Sequence, residues 1–180
     1  MGCVPIFNII SIVTPSYNQG QFIEECIRSV ISQEGDFRIE YLIMDGGSTD
    51  GSVEIIRKYE DLLARGQWPV RCQGITYRWL SEKDKGQADA INKGFRMAEG
   101  EVVAWINSDD YYLPGAFQTA AAAIGPDSSL AMVYGDGFVV EDGSGSKRAS
   151  GIEPFFDLWK LIHLYDFISQ PSVFLRHDSL

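Results

Sequence analysis

Two adjacent carboxylates, Asp109 and Asp110, close the apolar run Val102-Val103-Ala104-Trp105-Ile106. Neighbouring carboxylates at the end of a buried strand repel each other unless a cation or several donors compensate. A hard divalent ion, Mg²⁺ or Mn²⁺, is the simplest compensator, because it takes one or two protein carboxylates and fills its other positions with water and phosphate oxygens. Asp109 and Asp110 are therefore candidate metal ligands, and the molecule such an ion bridges is a diphosphate. The plainer reading has the pair start a turn or cap a helix.

Asp45-Gly46-Gly47-Ser48-Thr49-Asp50-Gly51 sets another carboxylate at a strand end beside glycines that let a ligand approach the backbone. Asp45 can accept the ring N–H of a pyrimidine base, while Asp50 is placed to cap the next helix. A turn followed by a cap explains this loop equally well. Lys85-Gly86-Gln87-Ala88-Asp89 opens a further helix, so Lys85 can meet a phosphate and Asp89 lies on the polar side of the same helix end. Lys85 and Lys93 also read as solvated helix charges. His163 and His177 are the only histidines and show no Ser/His/Asp or Cys/His ordering. Neither GxGxxG nor GxxxxGK[ST] follows the first strand.

Elements must bring these residues together. Residues 9–13 and 41–44 read as strands buried on both faces, 75–80 as a third and 102–106 as a fourth. Between them, Phe22, Ile23, Cys26, Ile27, Val30 and Ile31 recur at helical spacing, as do Val53, Ile56, Tyr59 and Leu62, and Ala88, Ile91, Phe95 and Ala98. This alternation predicts an α/β fold, an open, mostly parallel sheet flanked by helices. Its right-handed crossovers bring the ends of strands one, two and four to one edge, where such folds bind ligands. Further on, the Ala120 to Ala123 run predicts a helix. The segments 132–134 and 138–140 flank Gly135-Asp136-Gly137 like a hairpin, a small antiparallel element near residues 131–140. Residues 155–168 are apolar around most of a helical circumference, so this segment must bury against something: it is expected to cover the acceptor side of the crevice or to lie against a part of the protein beyond residue 180, and the plainer reading is a core helix.

Composition narrows the function classes. The 180 residues carry 25 Asp+Glu against 15 Lys+Arg, a net charge of −10, which argues against a nucleic-acid surface. The length predicts one domain over residues 1–180, burying roughly 70% of the surface its unfolded chain exposes. Three cysteines without a CxxC pair fit a reducing cytoplasm. Pro5, Asn8, Pro15, Asn18 and Gln19 break up the uncharged residues 1–23, which argues against a signal peptide or a membrane span there.

Four motifs in order, VTPSYNQG, MDGGSTDGS, GQADAINKG and WINSDD, make the first 115 or so residues resemble a family 2 glycosyltransferase of the GT-A fold. The resemblance implies that Thr14, Pro15 and Tyr17 line a nucleotide pocket and that Asp45 binds the base. It sets Asn107-Ser108-Asp109 in place of the family's DxD motif, so that Asp109 takes the Mg²⁺ or Mn²⁺. Asn107 keeps a ligand oxygen where the motif has its first Asp, and Asp110 is placed to supply the missing charge. The implied reaction is transfer of a sugar, with inversion, from a nucleotide-diphosphate sugar such as a UDP-sugar to a saccharide or lipid-linked acceptor. The setting it implies is bacterial surface polysaccharide synthesis in the cytoplasm, with peripheral association at the inner face of the membrane. The family's base is a carboxylate just beyond a stretch like Gln170-Pro171-Ser172-Val173-Phe174-Leu175. The chain ends at Leu180, so the domain is expected to be incomplete there and no base is assigned. Asp136 and Asp166 read as turn and helix-surface residues. A noncatalytic nucleotide-sugar-binding module and a magnesium-dependent phosphatase are the rival readings; the phosphatase needs a nucleophilic Asp where Thr14-Pro15-Ser16 stands.

Overall fold

A computed structural model describes residues 9–125, 130–140, 147–149, 156–163 and 168–180. The β-branched run of β1 (Ile9–Ser16) forms a buried central strand, because Ile and Val suit the pleated backbone and fill both faces. It is followed by α1 (Ile23–Ile31), β2 (Gly35–Asp45), α2 (Ser52–Ala64), β3 (Cys72–Ser81), α3 (Gln87–Met97), β4 (Val102–Trp105) and α4 (Ala116–Ile124). The short elements β5 (Met132–Val133), β6 (Phe138–Val140), β7 (Lys147–Ala149), α5 (Leu158–His163) and β8 (Phe174–Arg176), with 3-10 turns at Gln170–Ser172 and His177–Ser179, complete the described chain. The main sheet has the order β3-β2-β1-β4-β8-β5. Strands β1 to β4 are parallel, and β8 runs antiparallel to β4 and β5. The strand order reverses at β1, so the ends of β2, β1 and β4 lie side by side, as expected from the alternation.

Side chains alternate between two cores. Ile10 and Ile12 of β1 with Phe37, Ile39, Tyr41 and Ile43 of β2 face α1, α2 and α4, whereas Val13, Leu42, Met44 and Val103 meet Ala90 of α3 on the other face. On that second face Gly94 lets α3 lie against β1: a Cβ there would stand 2.3 Å from Val13 Cγ1, and Val13 is fully buried. Gly94→Ala is expected to lower stability by about 1–3 kcal/mol, the cost of overpacking a filled core, even though alanine is the better helix former. Urea unfolding of the two proteins measures the difference, and an unchanged or raised midpoint would show that α3 can move away without cost.

Two expectations change. The antiparallel element exists, but 132–134 does not pair with 138–140: β5 pairs with β8, and β6 with β7. Beside β8, Val133 packs on the core, a gain that an isolated two-stranded hairpin does not offer. Asp50 is not the N-cap of α2; Gly51 is, with φ of 95°. Asp50 lies one residue earlier, accepting from the Ser52 N–H at 3.1 Å and the Gly20 N–H at 2.8 Å. The segment 155–168 buries none of its α5 residues, and Phe156, Leu158, Trp159 and Ile162 are exposed. Phe155, Tyr165 and Asp166 lie outside the described residues. Among the described residues, no helix is long and apolar enough to cross a membrane.

Candidate active site

The carboxyl ends of β1, β2 and β4 are laced together at one height. Gly46 N–H donates to the Ser16 carbonyl at 2.8 Å and Ile106 N–H to the Val13 carbonyl at 2.9 Å. The loop after β2 is then buttoned to the loop after β1. Asn18, in the left-handed region at φ 52°, donates its N–H to Ser48 Oγ and accepts from the Thr49 N–H through Oδ1. Gln19 N–H donates to Ser52 Oγ at 3.1 Å. Much of the polarity of Ser48-Thr49-Asp50-Gly51-Ser52 is therefore spent on loop structure.

Asp45 belongs to the same framework. It is 2% exposed, and its carboxylate accepts from Gly47 N–H, Ser48 N–H, Ser48 Oγ and Ser81 Oγ. Such a saturated carboxylate organises the turn around itself. Thr14 is also turned inward: it is fully buried, with Oγ1 3.0 Å from the Tyr41 hydroxyl and 3.8 Å from Cys26 Sγ. Its side chain supports the crevice floor and does not line it.

The crevice itself has a volume of about 810 Å³ and is lined by Pro15, Ser16, Tyr17, Gln19, Gly46, Gly47, Lys83, Asp84, Gly86, Gln87, Ala90, Asn107, Ser108 and Asp109. That is within the usual range of about 300–1,000 Å³ for small-molecule sites. Tyr17 is exposed at its mouth. Gly46 is pinched between two lining groups, since a Cβ there would stand 3.0 Å from Asp84 Oδ2 and 3.3 Å from Tyr17 Cδ2. Asp84 Oδ1 accepts from the Gly86 N–H at 2.8 Å. The Ser16 hydroxyl is buried and has no hydrogen-bond partner among the described residues. An orphaned polar atom in the wall of a crevice is a natural contact for a ligand.

At the end of β4, Gln87 Nε2 donates to Asn107 Oδ1, and Asn107 Nδ2 donates to Asp110 Oδ2 at 3.3 Å. Asp109 is exposed on the crevice, whereas Asp110 is drawn back toward Asn107 and does not line it. Burial, offset in part by the Asn107 hydrogen bond, raises the Asp110 pKa, and the nearby Asp109 charge adds to the rise. A carboxyl whose folded pKa lies above its unfolded one costs stability once pH exceeds the unfolded value, and the cost disappears as pH falls below it. Asp110→Asn is therefore expected to raise the urea midpoint at neutral pH, with the gain vanishing toward pH 3. A gain that persists at acid pH would point to a different cause.

Lys85 and Asp89 fall beside the crevice. Asp89 accepts from the Lys85 N–H at 3.2 Å and pairs with Lys93 at 3.3 Å, contacts that lower its pKa, the first most strongly. Among the described residues, Lys83 is the lysine that lines the crevice. Lys83, Asp84 and Gln87 are lining residues that the sequence reading passed over, because within EKDKGQ the charges read as ordinary solvated ones. His163 stacks on Trp159 and His177 contacts the Gly100 carbonyl, so neither lines the crevice. Asp136 is exposed and does not line it either. Asp109 offers one exposed carboxylate at the end of β4, and the described residues contain no cluster of three or more His, Cys, Asp or Glu suited to an ion. That donor set fits Mg²⁺ or Mn²⁺ shared with a ligand's phosphates, not an ion caged by protein alone.

Comparison with known proteins agrees with this architecture. The chain is 30% identical to the chondroitin synthase of Escherichia coli over 126 residues, which are 70% of this chain and 17% of the synthase. It is 32% identical to glycosyltransferase GlyG of Streptococcus pneumoniae over 112 residues, 62% of this chain and 33% of GlyG. The chain thus spans at most about a third of either relative. Among solved structures, S. aureus TarS 1–349 in complex with UDP-GlcNAc matches 93% of this chain and 45% of its own, with a TM-score of 0.64 at 22% identity. The mannosyltransferase PcManGT from Pyrobaculum calidifontis, in complex with GDP-Man and Mn²⁺, matches 69% of this chain and 34% of its own, with a TM-score of 0.58 at 23% identity. These two likenesses show the fold, the GT-A arrangement expected from the motifs. The model of the family described as "Glycosyl transferase family 2" matches residues 11–177, so the chain belongs to glycosyltransferase family 2.

Proposed function

We propose that the crevice binds a nucleotide-diphosphate sugar, with a UDP-sugar as the leading candidate, and offers its anomeric carbon to a saccharide or lipid-linked acceptor. The observation that carries this reading is the meeting, in one crevice, of the Tyr17 ring, the Asp84 carboxylate, the unpartnered Ser16 hydroxyl and the exposed Asp109. Tyr17 gives a flat apolar surface for a base, and Asp84 Oδ2 an acceptor for a ring N–H. Pro15 continues the wall beside Tyr17. Asp109 is the residue to hold Mg²⁺ or Mn²⁺ between protein and diphosphate. When bound, such an ion supplies positive charge to the leaving nucleoside diphosphate. Asn107, kept in place by Gln87, orients the same loop.

In the proposed reaction, an acceptor hydroxyl oxygen bonds to the anomeric carbon as the bond from that carbon to the diphosphate oxygen breaks, inverting the configuration. The acceptor proton passes to a carboxylate base that is not assigned to a residue of this chain. The exposed Phe156, Leu158, Trp159 and Ile162 favour an acceptor carried on lipid and contact with a membrane surface.

The test is a panel of UDP- and GDP-sugars with Mn²⁺, following donor affinity and, with acceptor saccharides added, release of nucleoside diphosphate. Binding of at least one donor is the expected result, and binding of none contradicts the reading. Binding without release under any acceptor would favour a noncatalytic nucleotide-sugar module.

A further inference from the structure

Between the end of β4 and the start of α4, residues 107–115 form no regular element, yet Tyr112 is buried in the core. The backbone groups of such a segment need partners from elsewhere. The structure supplies them from one helix. On α1 and just beyond its C-cap, Cys26, Ser29 and Gln33 follow one another at spacings of three and four, which sets them on one side of the helix. Cys26 Sγ donates to the Asn107 carbonyl at 3.4 Å. Tyr112 N–H donates to Ser29 Oγ at 3.1 Å, and Ser29 Oγ donates in turn to the Cys26 carbonyl at 2.7 Å. Gln33, 2% exposed, donates from Nε2 to the Leu113 carbonyl at 2.9 Å and to the Ser29 carbonyl at 3.1 Å, and accepts from the Phe117 N–H at 3.4 Å.

We propose that Cys26, Ser29 and Gln33 are positioning residues for Asp109, a polar rail on α1 that holds the 107–117 segment in the shape needed at the crevice. The Asn107 carbonyl shows how. It accepts the Asp110 N–H at 3.1 Å, which closes the turn carrying Ser108 and Asp109, and it also accepts the Cys26 thiol. Asp109 is thus strung between one anchor two residues before it and another three residues after it. The Tyr112 and Phe117 rings, edge to face at 5.0 Å, add an apolar anchor beyond the polar ones. A carboxylate that must meet a diphosphate-bound ion gains from being fixed in advance, because ordering it on binding would weaken the complex. The consequence for binding rests on the diphosphate reading of the crevice; the clasp itself does not.

The test uses the whole chain with Ser29→Ala, Ser29→Thr and Gln33→Leu, and two separate readouts. Amide hydrogen exchange without ligand should speed up about tenfold at Tyr112 in Ser29→Ala, the scale of one lost hydrogen bond, and at Phe117 in Gln33→Leu. Exchange in β1 and β2 should stay as it was, and Ser29→Thr, which keeps the hydroxyl, should restore Tyr112 protection. Titration with uridine diphosphate and Mn²⁺ should then show affinity reduced by about 3- to 10-fold in Ser29→Ala, with uridine binding unchanged. Unaltered exchange at Tyr112 and Phe117 overturns the proposal. So does a loosened segment with full Mn²⁺-dependent affinity, provided that Asp109→Ala removes that affinity. If Asp109→Ala leaves it intact, the diphosphate reading falls and the exchange data alone decide whether the rail holds the segment.

Discussion

Asp109→Ala should abolish the dependence of nucleoside diphosphate binding on a divalent ion. Among the described residues, Asp109 and Asp84 are the carboxylates that line the crevice, and Asp84 is committed on one oxygen to the Gly86 N–H. Asp110, beside Asp109 in sequence, is turned toward Asn107. In a chain of net charge −10, a diphosphate has little long-range attraction to exploit, so a local cation must supply it. Removing the carboxylate that holds this cation is expected to cost about 1.5–3 kcal/mol, or roughly 10- to 150-fold in affinity. Isothermal titration of uridine diphosphate, with Mn²⁺ and with excess chelator, reads the effect. Equal affinities in the two conditions for the parent chain, or an unaffected Asp109→Ala, would refute this role. Asp110→Asn should keep the Mn²⁺ effect, and its loss there would make Asp110 a ligand after all.

Asp45→Ala and Asp84→Ala should separate stability from base recognition. Asp45 is buried, and its removal strands Gly47 N–H, Ser48 N–H and two hydroxyls. At about 1–3 kcal/mol for each buried donor left unpaired, less what water recovers, the loss of folding stability is roughly 3 kcal/mol. Asp84→Ala removes one turn contact, to Gly86, and should cost about 1 kcal/mol of stability. In binding the order reverses: Asp84→Ala should weaken uridine by about 1.5–3 kcal/mol and leave pyrophosphate nearly unchanged. Urea unfolding and titration of both ligands check the pair. Uridine affinity that falls in a fully folded Asp45→Ala and not in Asp84→Ala would return the base to Asp45.

The sheet was legible because its signal is local. The β-branched run of β1, broken only at Ser11, the apolar run of β4 and the helical stripes in α1 and α3 leave few alternatives, and right-handed crossovers then fix which strand ends meet. The start of β2 was not legible. Asp36 and Arg38 alternate with Phe37 and Ile39 as in a half-buried strand, but Glu40 breaks the alternation, because Ser11 Oγ, the Glu99 N–H and Arg78, partners distant in sequence, let it be buried. The pairing of β5 was misread for a similar reason, since its partner is β8, which lies beside β4, and not the segment across its own turn residues.

At the site, residue types announced which loops matter but not which way each side chain turns. Thr14 and Asp45 stand at strand ends as expected, yet Pro15, Ser16, Gly46 and Gly47 make the surface, because Thr14 is bonded inward to Tyr41 and the Asp45 carboxylate is taken up by Gly47, Ser48 and Ser81. Asp84 was hidden among the charges of Glu82-Lys83-Asp84-Lys85. Only the pinch at Gly46, between Asp84 and Tyr17, singles it out.

The most direct test of the account is a map of backbone amide shifts as uridine diphosphate is added, with Mg²⁺ present so that signals are not broadened by a paramagnetic ion. The largest shifts are expected on Ser16, Tyr17, Gly46, Gly47, Gly86, Gln87, Ser108 and Asp109, where the ends of β1, β2 and β4 face the start of α3. Shifts that leave these residues unmoved, or that centre on the exposed surface of α5 or on β6 and β7, would contradict it.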